Sequence, residues 1–185
     1  TGLFFMPKDK LKRARVLEAI KDEIEHENCS LAHVREVPVN SSCLGEQAAK
    51  TEPYIAQIFV TSNEFMEDVD FERRLYRIRK HIERRGSDCY ICSLSTKNIV
   101  YKGMLTSQQL KEYYLDLTSQ WLTSGMAIVH SRFSTNTFPQ WSLAQPFRLL
   151  FHNGEINTIR GNRNWMRARE SVLNSGALGD ISDIT

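Results

Sequence analysis

The apolar residues of this chain change their period along its length, and that change restricts it to a mixed architecture. Val16, Leu17, Ile20 and Ile24 recur at helical spacing, as do Phe71, Leu75, Ile78 and Ile82. A period near 3.6 places each set on one stripe and predicts helices over 9–27 and 69–85, the second stopped by Gly86. Residues 2–6, 54–60, 125–131 and 147–152 are short apolar runs rich in branched and aromatic side chains, the pattern of buried strands. Segments 89–95 and 98–103, linked by Ser95-Thr96-Lys97, predict a hairpin, and a mixed strand and loop stretch runs from Val34 to Val39. Thr106 with Gln109 has the form of a capping box opening a short helix through Tyr114, and a last helix is expected from about Ile156 through Leu173. Helices and hairpins interleave without a βαβα rhythm, and no glycine-rich loop joins a strand to a helix. The reading is α+β, helices covering a largely antiparallel sheet, and it argues against a nucleotide phosphate site.

Composition adds exclusions. A chain of 185 residues with 41% hydrophobic and 25% charged residues can bury the core of an ordinary domain. The formal charge of +2 demands no polyanionic partner, and no apolar run approaches membrane-spanning length. Cys29, Cys43, Cys89 and Cys92 are too few for a disulfide framework, so a cytoplasmic setting is expected. Cys89 and Cys92 form a lone C-x-x-C in what reads as a strand, where residues three apart point to opposite faces; they are read as packing residues and not as metal ligands. His130 and His152 read as core histidines without a third ligand at a familiar spacing, so no metal site is expected.

The densest chemistry lies in 130–165. Arg132, placed at the end of the expected 125–131 strand, offers a rigid fork of donors that suits a carboxylate. Asn153 and Gly154 offer a side-chain NH2 and an exposed backbone N–H, the two donors that a developing oxyanion needs. Taken singly, Arg132 could be an ion-pair partner and Asn153-Gly154 an ordinary turn. Phe138-Pro139-Gln140-Trp141 adds aromatic bulk that could wall a pocket.

In order, the segments His-Ser-Arg-Phe-Ser-Thr-Asn-Thr-Phe-Pro (130–139), Ala-Gln-Pro-Phe-Arg (144–148), His-Asn-Gly-Glu-Ile-Asn-Thr (152–158) and Arg-Gly-Asn-Arg-Asn-Trp-Met-Arg-Ala-Arg-Glu (160–170) resemble the class II glutamine amidotransferases. More narrowly, they resemble the glutaminase domain of glutamate synthase large subunits. Phe-Met-Pro-Lys-Asp (5–9), Thr-Glu-Pro (51–53), Tyr-Ile-Cys-Ser-Leu-Ser (90–95) and Val-Tyr-Lys-Gly-Met-Leu (100–105) extend the likeness over nearly the whole chain. The resemblance implies an N-terminal-nucleophile fold, a four-layer αββα sandwich with largely antiparallel sheets, here incomplete, with 1–185 an interior portion of the domain. It implies hydrolysis of the glutamine side-chain amide by an N-terminal cysteine, with ammonia passing through a tunnel to aminate 2-oxoglutarate. FMN and an iron–sulfur cluster are implied in other domains of the parent, with none in this chain, and electrons from a reduced nicotinamide or ferredoxin, the former through a small reductase subunit. Residue by residue, it implies that Arg132 binds the α-carboxylate of glutamine with help from the Thr135 hydroxyl. Phe133 would form the wall of the pocket, and Asn153 and Gly154 the oxyanion hole.

The likeness departs from the family at the nucleophile. Thr1-Gly2 imitates a nucleophile–glycine start, but residues 2–9 resemble a later family segment, and none of the four cysteines has a matching context. Asp183 is a poor stand-in for the aspartate that binds the substrate amine. The chain is therefore expected to be inactive alone, with open sheet edges that favour aggregation. The competing readings are an RNA-binding surface on the arginines of 73–85 and 160–169, thinly supported by Tyr76 and Trp165, and a purely architectural segment.

Overall fold

A computed structural model describes residues 1–152, 154, 155, 157–179, 181, 182 and 184. The first apolar run forms strand β1 (Gly2–Met6), every residue of which is buried. Asp9 then caps helix α1 (Lys10–His26), its carboxylate accepting the Lys12 N–H at 2.8 Å. Asn28 turns the chain in the left-handed region (φ 53°), and strand β2 (Cys29–Glu36) returns along the sheet. A long link carrying helix α2 (Glu46–Lys50) leads to strand β3 (Tyr54–Ser62) and helix α3 (Asp68–Arg84). Gly86, at φ 65°, ends α3 in the conformation glycine adopts without strain. Strand β4 (Tyr90–Ile91), helix α4 (Ser107–Tyr113) and helix α5 (Ile159–Glu170) follow.

The sheet has the order β2-β3-β1-β4, each neighbouring pair antiparallel. β1 and β2 therefore run the same way with β3 between them, and β3 and β4 with β1 between them. These are two interlocked split βαβ units, each crossing over through one long helix. Alternation along β1 divides the core. Phe4 and Met6 pack with Ile20 and Ile24 of α1 and Leu75, Ile78 and Ile82 of α3. Leu3 and Phe5 face the other way, into an aromatic layer with Tyr113, Tyr114 and Trp141. Both faces of the central strands are thus covered, which explains their continuous apolar runs. Cys89 packs on the helical side and Cys92 in the aromatic layer, as residues three apart on a strand must.

The α+β class, the strand at 2–6 and the two long helices agree with the sequence reading within a residue or so. β2 is longer than expected and begins at Cys29; its His33, Arg35 and Glu36 interrupt the apolar signal. The four-layer sandwich is not formed among the described residues, which contain one sheet. The expected strands at 125–131 and 147–152 are not strands. The first pairs with no neighbour, and the second folds into a tight turn in which Phe147 and Leu150 exchange backbone hydrogen bonds of 2.7 and 2.8 Å. An apolar run becomes a strand only where another edge supplies its hydrogen-bond partners. The expected hairpin at 89–103 is likewise reduced to β4. Cys92 and Ser95 N–H still follow β1, donating to Leu3 and Thr1 carbonyls, but Val100 N–H turns to the Ser93 hydroxyl at 3.1 Å. The last helix is shorter than expected, ending at Glu170.

Candidate functional site

The segments that carry the candidate groups are attached to the aromatic side of the sheet at Trp141. Its indole is buried, packs edge-on against Phe5 with centroids 5.9 Å apart, and donates to Ala48 O at 3.1 Å. Gly103 permits this approach: a Cβ there would lie 2.4 Å from the indole ring. Next to Gly103, the buried Lys102 amine donates to Ser142 O and to the Tyr90 hydroxyl, both at 2.9 Å.

Beyond this anchor, Gln145 draws two of the candidate segments together. Its buried side-chain amide donates to Ser134 Oγ at 2.9 Å and to His152 O, and its Oε1 accepts His152 N–H at 2.7 Å. Both donors and one acceptor position of the amide are spent on two segments 18 residues apart in sequence. Asn136 Nδ2 adds a second link, donating to Glu155 Oε2 at 3.1 Å. Asn136 itself is left-handed (φ 61°) in a turn closed by Thr137 N–H to Ser134 O at 3.2 Å.

On this frame Arg132, Thr135 and Gly154 are exposed and Phe133 is half-buried. The Arg132 backbone N–H donates to His130 Nδ1 at 3.1 Å. Gly154 lies beside the His152 ring, and Asn153 lies outside the described residues. The structure therefore brings Ser134 and Asn136 beside His152 and Glu155. Two surface hollows, of about 430 and 400 Å³, lie elsewhere, along α3, and none of Arg132, Phe133, Thr135 or Gly154 lines either. His130 is half-buried and His152 exposed, so the core reading of these histidines is corrected: the 125–131 and 147–152 runs that would have enclosed them are not strands.

None of the thiols is poised as a nucleophile. Burial pushes Cys29, Cys43 and Cys89 above the ordinary thiol value and Cys92 up to about 12, whereas attack needs the thiolate. The Thr1 hydroxyl is occupied, donating to Ile58 O and accepting from Gln57 Nε2, both at 3.1 Å. One mixed cluster has metal-ligand character: Glu23, His26 and His81 place ligand atoms within 4.8 Å of one another. Its charge is already balanced, because Arg85 holds Glu23, and Arg77 holds the neighbouring Glu27 at 2.9 Å.

Part of the basic face of α3 is also paired. Arg73 pairs with Asp70 at 2.6 Å, Arg74 with Glu64 at 2.8 Å and Arg79 with Glu83 at 3.0 Å. Cations paired in this way have less free charge to offer a phosphate backbone, which weakens the RNA-binding reading for the 73–85 run.

Comparison with known proteins decides the family. The profile of the class II glutamine amidotransferases matches residues 1–185. This chain belongs to that family. It is similar to the glutamate synthase [NADPH] large chain of Bacillus subtilis, 45% identical over 184 residues, covering 97% of this chain and 12% of that protein. It is similar to ferredoxin-dependent glutamate synthase 2 of Synechocystis sp., 47% identical over 173 residues, covering 93% of this chain and 11% of that protein. The same identity relates it to ferredoxin-dependent glutamate synthase 1, chloroplastic/mitochondrial, of Arabidopsis thaliana, over 178 residues, again 93% of this chain and 11% of the other. The chain thus spans about an eighth or less of the length of these relatives. Gln145 is the functional-segment residue that sequence reasoning passed over. It stood inside a matched motif, but nothing local showed that its amide would clasp two distant segments.

Proposed function

We propose that this chain is part of the glutaminase domain of a glutamate synthase, in which residues 130–155 bind glutamine and stabilise the transition state of amide hydrolysis. The observation that supports the reading is the Gln145 clasp, which joins Ser134 to His152 in a chain matched throughout by the amidotransferase family. Arg132 offers its planar fork to the α-carboxylate, the Thr135 hydroxyl supports the same end of the substrate, and Phe133 borders its methylenes. The Asn153 amide and Gly154 N–H stabilise the tetrahedral oxyanion. Pre-aimed donors of this kind act without reorganisation as charge builds, and loss of one costs about a hundredfold or more in turnover. The nucleophile is a cysteine outside this sequence, because all four thiols present are held protonated in packing positions.

In the parent, the ammonia released aminates 2-oxoglutarate at a second site. FMN and an iron–sulfur cluster there would supply electrons from a reduced nicotinamide, through a small reductase subunit, or from ferredoxin. We place these groups in other domains; the position of Cys89 and Cys92 on opposite faces of the sheet supports this for the cluster. The complete four-layer sandwich would likewise form only with segments of the parent that pair with residues 125–131. No helix among the described residues is long and apolar enough to cross a membrane.

The test uses the full-length protein. Arg132→Ala raises the glutamine KM with kcat largely kept, and Asn153→Ala lowers kcat with KM largely kept. The reverse pattern would exchange the two roles, and no effect from either would reject the site.

A further inference from the structure

Lys102 is a buried lysine, 2% exposed, and no carboxylate pairs with it among the described residues. Such a site would pack methionine or leucine at lower cost, since burying an uncompensated ammonium is unfavourable. Its amine reaches two acceptors, Tyr90 OH and Ser142 O, each at 2.9 Å, and lies 4.6 and 4.5 Å from the ring centroids of Tyr90 and Phe147. Tyr90 belongs to the sheet; Ser142 and Phe147 bracket Gln145. The Tyr114 hydroxyl fixes the lysine backbone, donating to Lys102 O at 2.7 Å. One amine therefore holds both ends of a turn whose middle side chain clasps Ser134 and His152.

We propose that Lys102 is a positioning residue of the glutamine site: by fixing the 142–147 turn it sets Gln145, and through Gln145 the spacing between Arg132 and Gly154. This inference rests on the functional reading above and adds to it a residue outside the 130–155 segment.

The charge state of the amine gives the proposal a pH signature. The groups facing it are the Tyr90 hydroxyl, the Cys92 thiol and Arg148, whose guanidinium is paired with Glu83 at 2.7 Å. Burial lowers Lys102 to about 8 and raises both Tyr90 and Cys92 to about 12, so near pH 8 the lysine alone of the three changes charge. The neutral amine keeps donors for both acceptors and no longer opposes burial. Opening of the turn releases the lysine to water, where it takes up a proton, so the closed turn is favoured progressively as pH rises above about 8.

In the full-length protein, Lys102→Met should raise the glutamine KM about tenfold or more while kcat changes by less than about threefold. It should also remove a fall in KM that the wild type shows as pH rises through about 8. An unchanged KM and pH profile in Lys102→Met, with Arg132→Ala still raising KM, would overturn the positioning role and leave the site reading standing. If Arg132→Ala also has no effect, the site reading itself fails. Should the variant not fold, hydrogen exchange of the wild type decides. Peptides covering 141–152, corrected for intrinsic rates, gain protection as pH rises through about 8 while β1 and β3 do not, and a flat profile would overturn the proposal.

Discussion

Asp116 shows what a single charge does in this molecule. Its two oxygens accept from Arg35 at 3.1 and 2.5 Å, and Oδ2 also accepts the Tyr101 hydroxyl at 3.1 Å. The hydrogen bonds from Arg35 hold its carboxyl below the usual carboxylate value, against an opposing effect of burial. A carboxyl with a depressed folded value stabilises above the unfolded value near 4, and that contribution is lost as pH falls through the folded value. Asp116→Asn is therefore expected to cost about 1–2 kcal/mol at pH 7 in urea unfolding, since the pair is partly exposed. The difference from wild type should shrink below about pH 4; an equal gap at pH 2.5 would refute the assignment. Neither this network nor the Lys102 site was legible in the sequence. Arg35 and Asp116 are 81 positions apart, and Lys102 is one of 24 basic residues until Tyr90 and Phe147 close over it.

At the scale of elements, local chemistry was easier to read. The expected capping box opens α4: Gln109 N–H donates to Thr106 Oγ1 at 3.3 Å, and Thr106 N–H to Gln109 Oε1 at 3.0 Å. Thr106→Ala should cost about 1 kcal/mol, measured by thermal or urea unfolding. The consequence extends beyond the helix, because Tyr113 and Tyr114 at its end fill the aromatic layer with Trp141. Gly103→Ala tests the same layer from the other side. Its Cβ would meet the Trp141 ring at 2.4 Å, so the indole must move. The expected outcome is a loss of about 1–3 kcal/mol with red-shifted tryptophan emission; unchanged emission and stability would mean the indole is not seated there. The caps and helical stripes were visible because a helix satisfies its own backbone. The 125–131 and 147–152 runs misled because their hydrogen-bond partners had to come from elsewhere.

For the whole molecule, the distribution of apolar surface is uneven. Trp121, Met126, Val129, Phe138 and Trp165 are 72–87% exposed, all beyond residue 120, while the strands and long helices bury most of their large apolar side chains. Apolar side chains exposed in this number are a surface that another protein segment can cover; the chain spans 11–12% of the length of its relatives. The 185-residue chain on its own should bind a hydrophobic dye and self-associate, while exchange protection persists in β1, β3, α1 and α3. A monodisperse, dye-free monomer would show that these side chains need no cover. The same chain should release no ammonia from glutamine, and turnover by it would restore a nucleophile among its own residues. Labelled single-stranded RNA should bind weakly if at all, since Arg73, Arg74 and Arg79 are paired with carboxylates.

Hydrophobic period and caps, which depend on neighbours within one turn, were set by the sequence alone: two long helices, the central strands and the α+β class. Ordered motifs likewise marked Arg132, Phe133, Thr135, Asn153 and Gly154 as the groups of interest. Strand order, the split βαβ crossing, the burial of Lys102 and the Gln145 clasp were decided by tertiary structure. Each depends on a partner many residues away, and a backbone hydrogen bond or a buried amine has no favourable state until that partner arrives.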